Sequence, residues 1–166
     1  PEIGLRGRTM FVPLHNRLYR MGSKLGVIDR GFVGGKVRTE LNIMRFGGSA
    51  WTFVPGEIYP EIVIGGVEHP EGADFDIEPV EVPPIKSFMP GEPRFVVGLA
   101  NDEIGYIIPK SQWDETEPFT YGRTKRPYGE INSVGHEAGP ILYAEIRRLW
   151  DEELRGTEPE ANVAER

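Results

Sequence analysis

Glycine and proline constrain this chain more than any other residues. There are 21 Gly and 15 Pro in 166 residues. Proline removes a backbone donor and fixes φ, and glycine weakens the interior of any helix or strand. Their spacing excludes long helices over most of the length and leaves room for short strands joined by tight turns. The region after Pro140 is the exception. There Ile141, Leu142, Ala144, Ile146, Leu149, Trp150 and Leu154 recur at helical spacing, with Arg147 and Arg148 opposite and Gly156 as the stop.

Between the punctuation marks several elements can be read. Thr9 to Val12 reads as a short strand stopped by Pro13, and His15 to Leu25 as a turn or two of helix. Val37 to Arg45 alternates apolar and polar residues, the mark of a half-buried strand. Gly47-Gly48 then makes a hairpin turn into a strand from Ser49 to Val54. After Pro55-Gly56-Glu57 a short helix is expected from Ile58 to Ile64, with Pro60 in its first turn and Gly65-Gly66 closing it. Residues 67–88 hold six acidic residues and several prolines, and read as an exposed loop with little regular structure. Arg94 to Leu99 is apolar on consecutive positions, so a strand buried on both faces is expected. Gly105 to Ile108 follows as a short strand. Residues 157–166 are polar and are expected to be a disordered tail. The fold class is therefore α/β or α+β, a mixed sheet with short helices and a C-terminal amphipathic helix.

Net charge is −7, unevenly spread: residues 1–45 carry nine Lys/Arg against three Asp/Glu. No helix-turn-helix pattern, zinc module or stacking platform accompanies the basic segment, so it reads as a solvated face or one docking on acidic protein surface rather than a nucleic-acid arm. No apolar run is long enough to span a bilayer. The chain starts with Pro1 and is read as a piece of something longer. With no cysteine, disulfides, thiolate zinc sites and a Cys nucleophile are excluded. His15, His69 and His136 form no H-x-H or H-E-x-x-H pair, and there is no G-x-S-x-G elbow or P-loop. His69 reads as a solvated side chain, and His136 as a contact at the start of the last helix or a site residue. Glu57, at a strand end and helix start, fits a cap glutamate or a site carboxylate. Tyr106 fits a core tyrosine with a hydrogen-bonded hydroxyl or a site phenol.

Four stretches taken in order resemble the second half of the catalytic domain of neutral ceramidases. They are "VPLHNRLYRMGSKLGVIDR" (12–30), "TFVPGEIYPEI" (52–62), "FVVGLANDEIGYIIP" (95–109) and "YGEINSVGHEAGP" (128–140). The likeness covers roughly residues 9–155. It implies that residues 1–156 are the C-terminal part of a ceramidase-like catalytic domain, with 67–88 an acidic insertion. That family holds zinc with two histidines, a glutamate and a tyrosine. Carried over, the glutamate falls on Glu57 and the tyrosine on Tyr106, and a second tyrosine that stabilises the oxyanion falls on Tyr128. The two histidines belong to the family's earlier half, so only half of a zinc site is expected here. The implied function is part of a zinc-dependent amidohydrolase acting on an N-acyl, ceramide-like amide through metal-activated water. The alternative is an inactive ceramidase-like binding or assembly module. The resemblance also implies the N-terminal half of the domain and a lipid-amide-like small molecule as partners, and a secreted or periplasmic location.

Overall fold

The computed structural model describes residues 2–27 and 32–156. The tail expected at 157–166 lies outside them. The elements run β1 (Ile3–Pro13), α1 (Arg17–Lys24), β2 (Phe32–Val33), β3 (Lys36–Phe46), β4 (Ser49–Phe53), β5 (Glu57–Ile58), α2 (Pro60–Ile64), α3 (Ile85–Phe88), β6 (Arg94–Val97), β7 (Tyr106–Ile107), α4 (Tyr128–Ile131) and α5 (Ala138–Gly156).

The main sheet is ordered β1-β3-β4-β6, with β2 added to β3. β1 pairs antiparallel with β3 over its whole length, from Ile3 opposite Phe46 to Pro13 opposite Lys36. The expected hairpin joins β3 and β4 through Gly47-Gly48. β6 then lies parallel to β4, Ala50 opposite Arg94 and Phe53 opposite Val97, which makes the sheet mixed. A second, two-stranded parallel sheet is formed by β5 and β7.

Strand alternation sends one set of side chains inward. Met10 and Val12 of β1, Val37, Leu41 and Ile43 of β3, and Ala50 of β4 are buried. α5 covers this face with Leu142, Ile146, Leu149 and Trp150. The Trp150 indole N–H donates to the Thr52 hydroxyl across 3.0 Å, so the one polar atom of that side chain is satisfied in a fully buried setting. Ion pairs tie β1 to α5: Arg6 to Glu153 at 2.5 Å, Arg8 to Glu152 at 2.8 Å and Arg8 to Glu145 at 3.2 Å. Arg6 and Arg8 of the basic N-terminal segment thus meet acidic side chains inside the same chain.

The opposite sheet face is bare. Ile3, Leu5, Phe46 and Phe95 are exposed, and the Trp51 and Phe95 rings stack at 4.1 Å beside them. β6 is therefore covered on one side only, where its apolar run suggested two. The acidic stretch also differs from expectation. Glu81 and Ile85 are fully buried, and the stretch ends in α3, which packs on α5 through Phe88 and Tyr143 rings 5.9 Å apart. Its prolines and acids hide a buried anchor that composition does not reveal.

Candidate functional site

The end of β4 and the return of the chain at β7 build the site together. Gly56 follows Val54-Pro55 and lies so close to the Gly105 carbonyl that a Cβ there would sit 2.3 Å from its oxygen. Close approach is the reason for glycine at 56. The loop 98–104 wraps this strand end, with Leu99 N–H bonded to Gly56 O, Ala100 N–H to Val54 O and Ile104 N–H to Pro55 O. Leu99 and Asn101 take positive φ to make the wrap. Thr39 on β3 then pins the loop, its hydroxyl donating to Asp102 at 2.9 Å.

The consequence is the pairing of β5 with β7, in which Glu57 stands opposite Tyr106. Residues 49 positions apart in sequence become neighbours. The Glu57 carboxylate, as hydrogen-bond acceptor, raises the Tyr106 phenol above its ordinary pKa, with a smaller contribution from burial. Tyr128, the first residue of α4, meets Tyr106 edge to face with ring centres 5.7 Å apart. All three candidate residues line one cleft of about 470 Å³, together with the apolar Leu14, Val37, Ile104 and Val134. Tyr128 stands well exposed at this cleft.

Asn16 fixes another wall. Its side-chain oxygen accepts from the Leu18 and Tyr19 N–H groups and so caps α1, while its amide donates to the Ile131 and Ser133 carbonyls. One residue thereby joins α1 to the segment after α4, and Tyr19 and Ser23 of α1 face the cleft.

Three features of the site were not read from the sequence. Tyr59 packs edge to face on Tyr106 at 6.4 Å, and burial followed by the Glu130 carboxylate pushes its phenol up to about 12. Glu130, two residues after Tyr128, is buried, and burial raises its own pKa. Tyr59 stands just beyond β5, at the N-terminus of α2, a position that leaves no periodic signal in the sequence. The third feature is the place of His136. It stacks on His15 at 4.3 Å, lies 4.6 Å from the Phe75 ring and meets Trp113 edge to face. It makes an aromatic clamp and is not among the residues lining the cleft. His69 pairs with Asp76 at 3.4 Å.

Glu57 and Tyr106 place a carboxylate and a phenol side by side at an accessible cleft. Among the described residues, no group of three or more His, Cys, Asp or Glu is placed to hold a metal ion. No family model, curated protein or solved structure matches the chain. No helix among the described residues is long and apolar enough to cross a membrane.

Proposed function

We propose that this chain supplies one side of the active site of a metal-dependent amidohydrolase. Within that class the reading is a zinc enzyme of the neutral ceramidase kind, cleaving an N-acyl amide. The observation that carries it is the register of β5 and β7, which sets Glu57 beside Tyr106 with Tyr128 in ring contact.

Glu57 and Tyr106 would hold the zinc, with the remaining ligands contributed by the N-terminal half of the domain. When bound, zinc lowers the pKa of a water and polarises a carbonyl. By accepting from the Tyr106 O–H, Glu57 holds that proton on the phenol in the metal-free chain; ligation by the phenolate would release it to solvent. Tyr128 presents an O–H at the cleft and donates it to the amide oxygen as charge builds there, the role of an oxyanion donor. Leu14, Val37, Ile104 and Val134 offer an apolar wall for an acyl chain.

The test has two parts. In the protein that joins this chain to the histidine-bearing half, Glu57→Gln and Tyr106→Phe should each abolish turnover of an N-acyl amide and lower zinc content. Retention of both zinc and turnover by Glu57→Gln overturns the reading. In this chain alone, zinc should bind weakly, with a rise in tyrosinate absorbance that Tyr106→Phe removes. Tight stoichiometric zinc would contradict a shared site. A second reading, a binding or assembly module without catalysis, is favoured by the incomplete donor set. It predicts an upstream half without paired histidines.

A further inference from the structure

α1 presents three distinct faces, and only one belongs to the protein. At about 100° per residue, Tyr19 and Ser23 share the face that lines the cleft. Leu18 and Met21 share a second face with Leu25, the residue that caps the end of the helix, within an arc of about 60° when the helical spacing is carried on to it. They are 62%, 56% and 70% exposed. Arg17, Arg20 and Lys24 share a third, also exposed, beside the apolar one. None of the ion pairs among the described residues takes up these three cations. Residues 3–27 contain no Asp or Glu. The helix has no fully buried residue and is held through its Asn16 cap and through Tyr19, which packs part-buried against the core.

We infer that α1 docks on an anionic lipid surface, its Leu18, Met21 and Leu25 entering the headgroup boundary and its Arg17, Arg20 and Lys24 meeting the lipid charge. Amphipathic helices that lie in a membrane interface combine an apolar face with Lys and Arg on the polar face. The charge decides for lipid over a protein layer: three like charges side by side on one exposed helix face, taken up by no ion pair among the described residues, suit a surface that is anionic along its whole extent. Because Tyr19 and Ser23 sit on the same helix, docking places a wall of the cleft at the bilayer surface. This goes beyond the amidohydrolase reading and uses none of its metal residues, so zinc binding and vesicle binding can fail separately.

The experiment is co-sedimentation of the chain with phosphatidylcholine vesicles, with and without about a third phosphatidylserine, at low and high salt. Binding should require the anionic lipid and weaken with salt. Each basic residue near an anionic surface contributes about fivefold in affinity, so Arg17→Gln, Arg20→Gln and Lys24→Gln together should weaken binding about a hundredfold. Leu18→Ser, Met21→Ser and Leu25→Ser together should abolish it. Far-ultraviolet circular dichroism checks that both triple variants keep the fold, as substitution of exposed residues allows. Absence of binding to anionic vesicles overturns the proposal, as does binding that neither triple variant changes. Self-association of the wild-type chain that the serine variant abolishes, without vesicle binding, assigns the face to a protein contact and also overturns it.

Discussion

Gly105→Ala tests the reasoning that places Tyr106. Gly105 has φ +86°, and a Cβ built there would lie 1.8 Å from the Asn132 carbonyl oxygen and 2.8 Å from its carbon. Both are backbone atoms, so no side chain can swing away. The clash falls on the bridge between Gly105 and Ser133 and on two hydrogen bonds, Tyr106 N–H to Asn132 O at 3.0 Å and Glu57 N–H to Gly105 O at 3.1 Å. Left-handed backbone at a residue with a Cβ costs about 1–2 kcal/mol. Loss of two backbone hydrogen bonds adds about 1 kcal/mol each, for a total of about 3–4 kcal/mol. Gly34→Ala is the control. Its φ is +58°, but nothing lies within 4 Å of the added Cβ, so only the conformational cost of about 1–2 kcal/mol remains. At about 2–4 °C per kcal/mol for a chain of this size, thermal melts should fall by about 10 °C for Gly105→Ala and by about half as much or less for Gly34→Ala. Near-ultraviolet circular dichroism should lose the Tyr59–Tyr106–Tyr128 contribution only in the first. Equal shifts in the two variants, with the tyrosine signal kept, would refute the account of how the cleft is assembled.

Two further outcomes follow from the core and the clamp. Thr52→Val leaves the buried Trp150 N–H without its acceptor and should cost about 1–3 kcal/mol, read from urea midpoints by tryptophan fluorescence. His136 is held below its ordinary value of 6.5 by burial first and then by His15, against the opposing pull of Glu137 and Glu115. The folded form thus resists protonation that the unfolded form accepts. Its contribution to stability is complete above about pH 6.5 and is lost as pH falls through the lower folded value. His136→Phe keeps a ring against His15 and Phe75 and should flatten the acid limb of a stability–pH profile.

The hairpin and the last helix were legible because periodicity alone defines them. β3 and β4 fall within a residue or two of the alternating stretch, and α5 follows the apolar spacing after Pro140. Helical spacing puts Ala144 and Leu154 on the apolar face of α5, but both are exposed, while Tyr143 and Glu153 are buried. Glu153 is inside because Arg6 meets it from β1, a partner invisible to helical spacing. The apolar run Thr9–Val12 marks only four of the eleven residues of β1. Its first half, with Gly4, Arg6, Gly7 and Arg8, resembles a loop until β3 supplies the ladder and α5 the carboxylates. Gly4 lies where a Cβ would meet the Glu153 carboxylate at 2.4 Å. The juxtaposition of Glu57 and Tyr106 came from motif resemblance. Local pattern could not give it, because parallel pairing of two-residue strands leaves almost no periodic trace.

The ion pairs between β1 and α5 also dictate an order of assembly. Arg6 and Arg8 find their carboxylates about 140 residues later, at Glu145, Glu152 and Glu153. Contacts at such separation form slowly, because loop closure precedes any reward. During synthesis the sheet can pair β1, β3 and β4 as a local meander, yet its inward, apolar face stays open to water until the last helix emerges. The final twenty or so residues of the described fold therefore act as the fastener of the domain, and a nascent chain waiting for them is in its most aggregation-prone state.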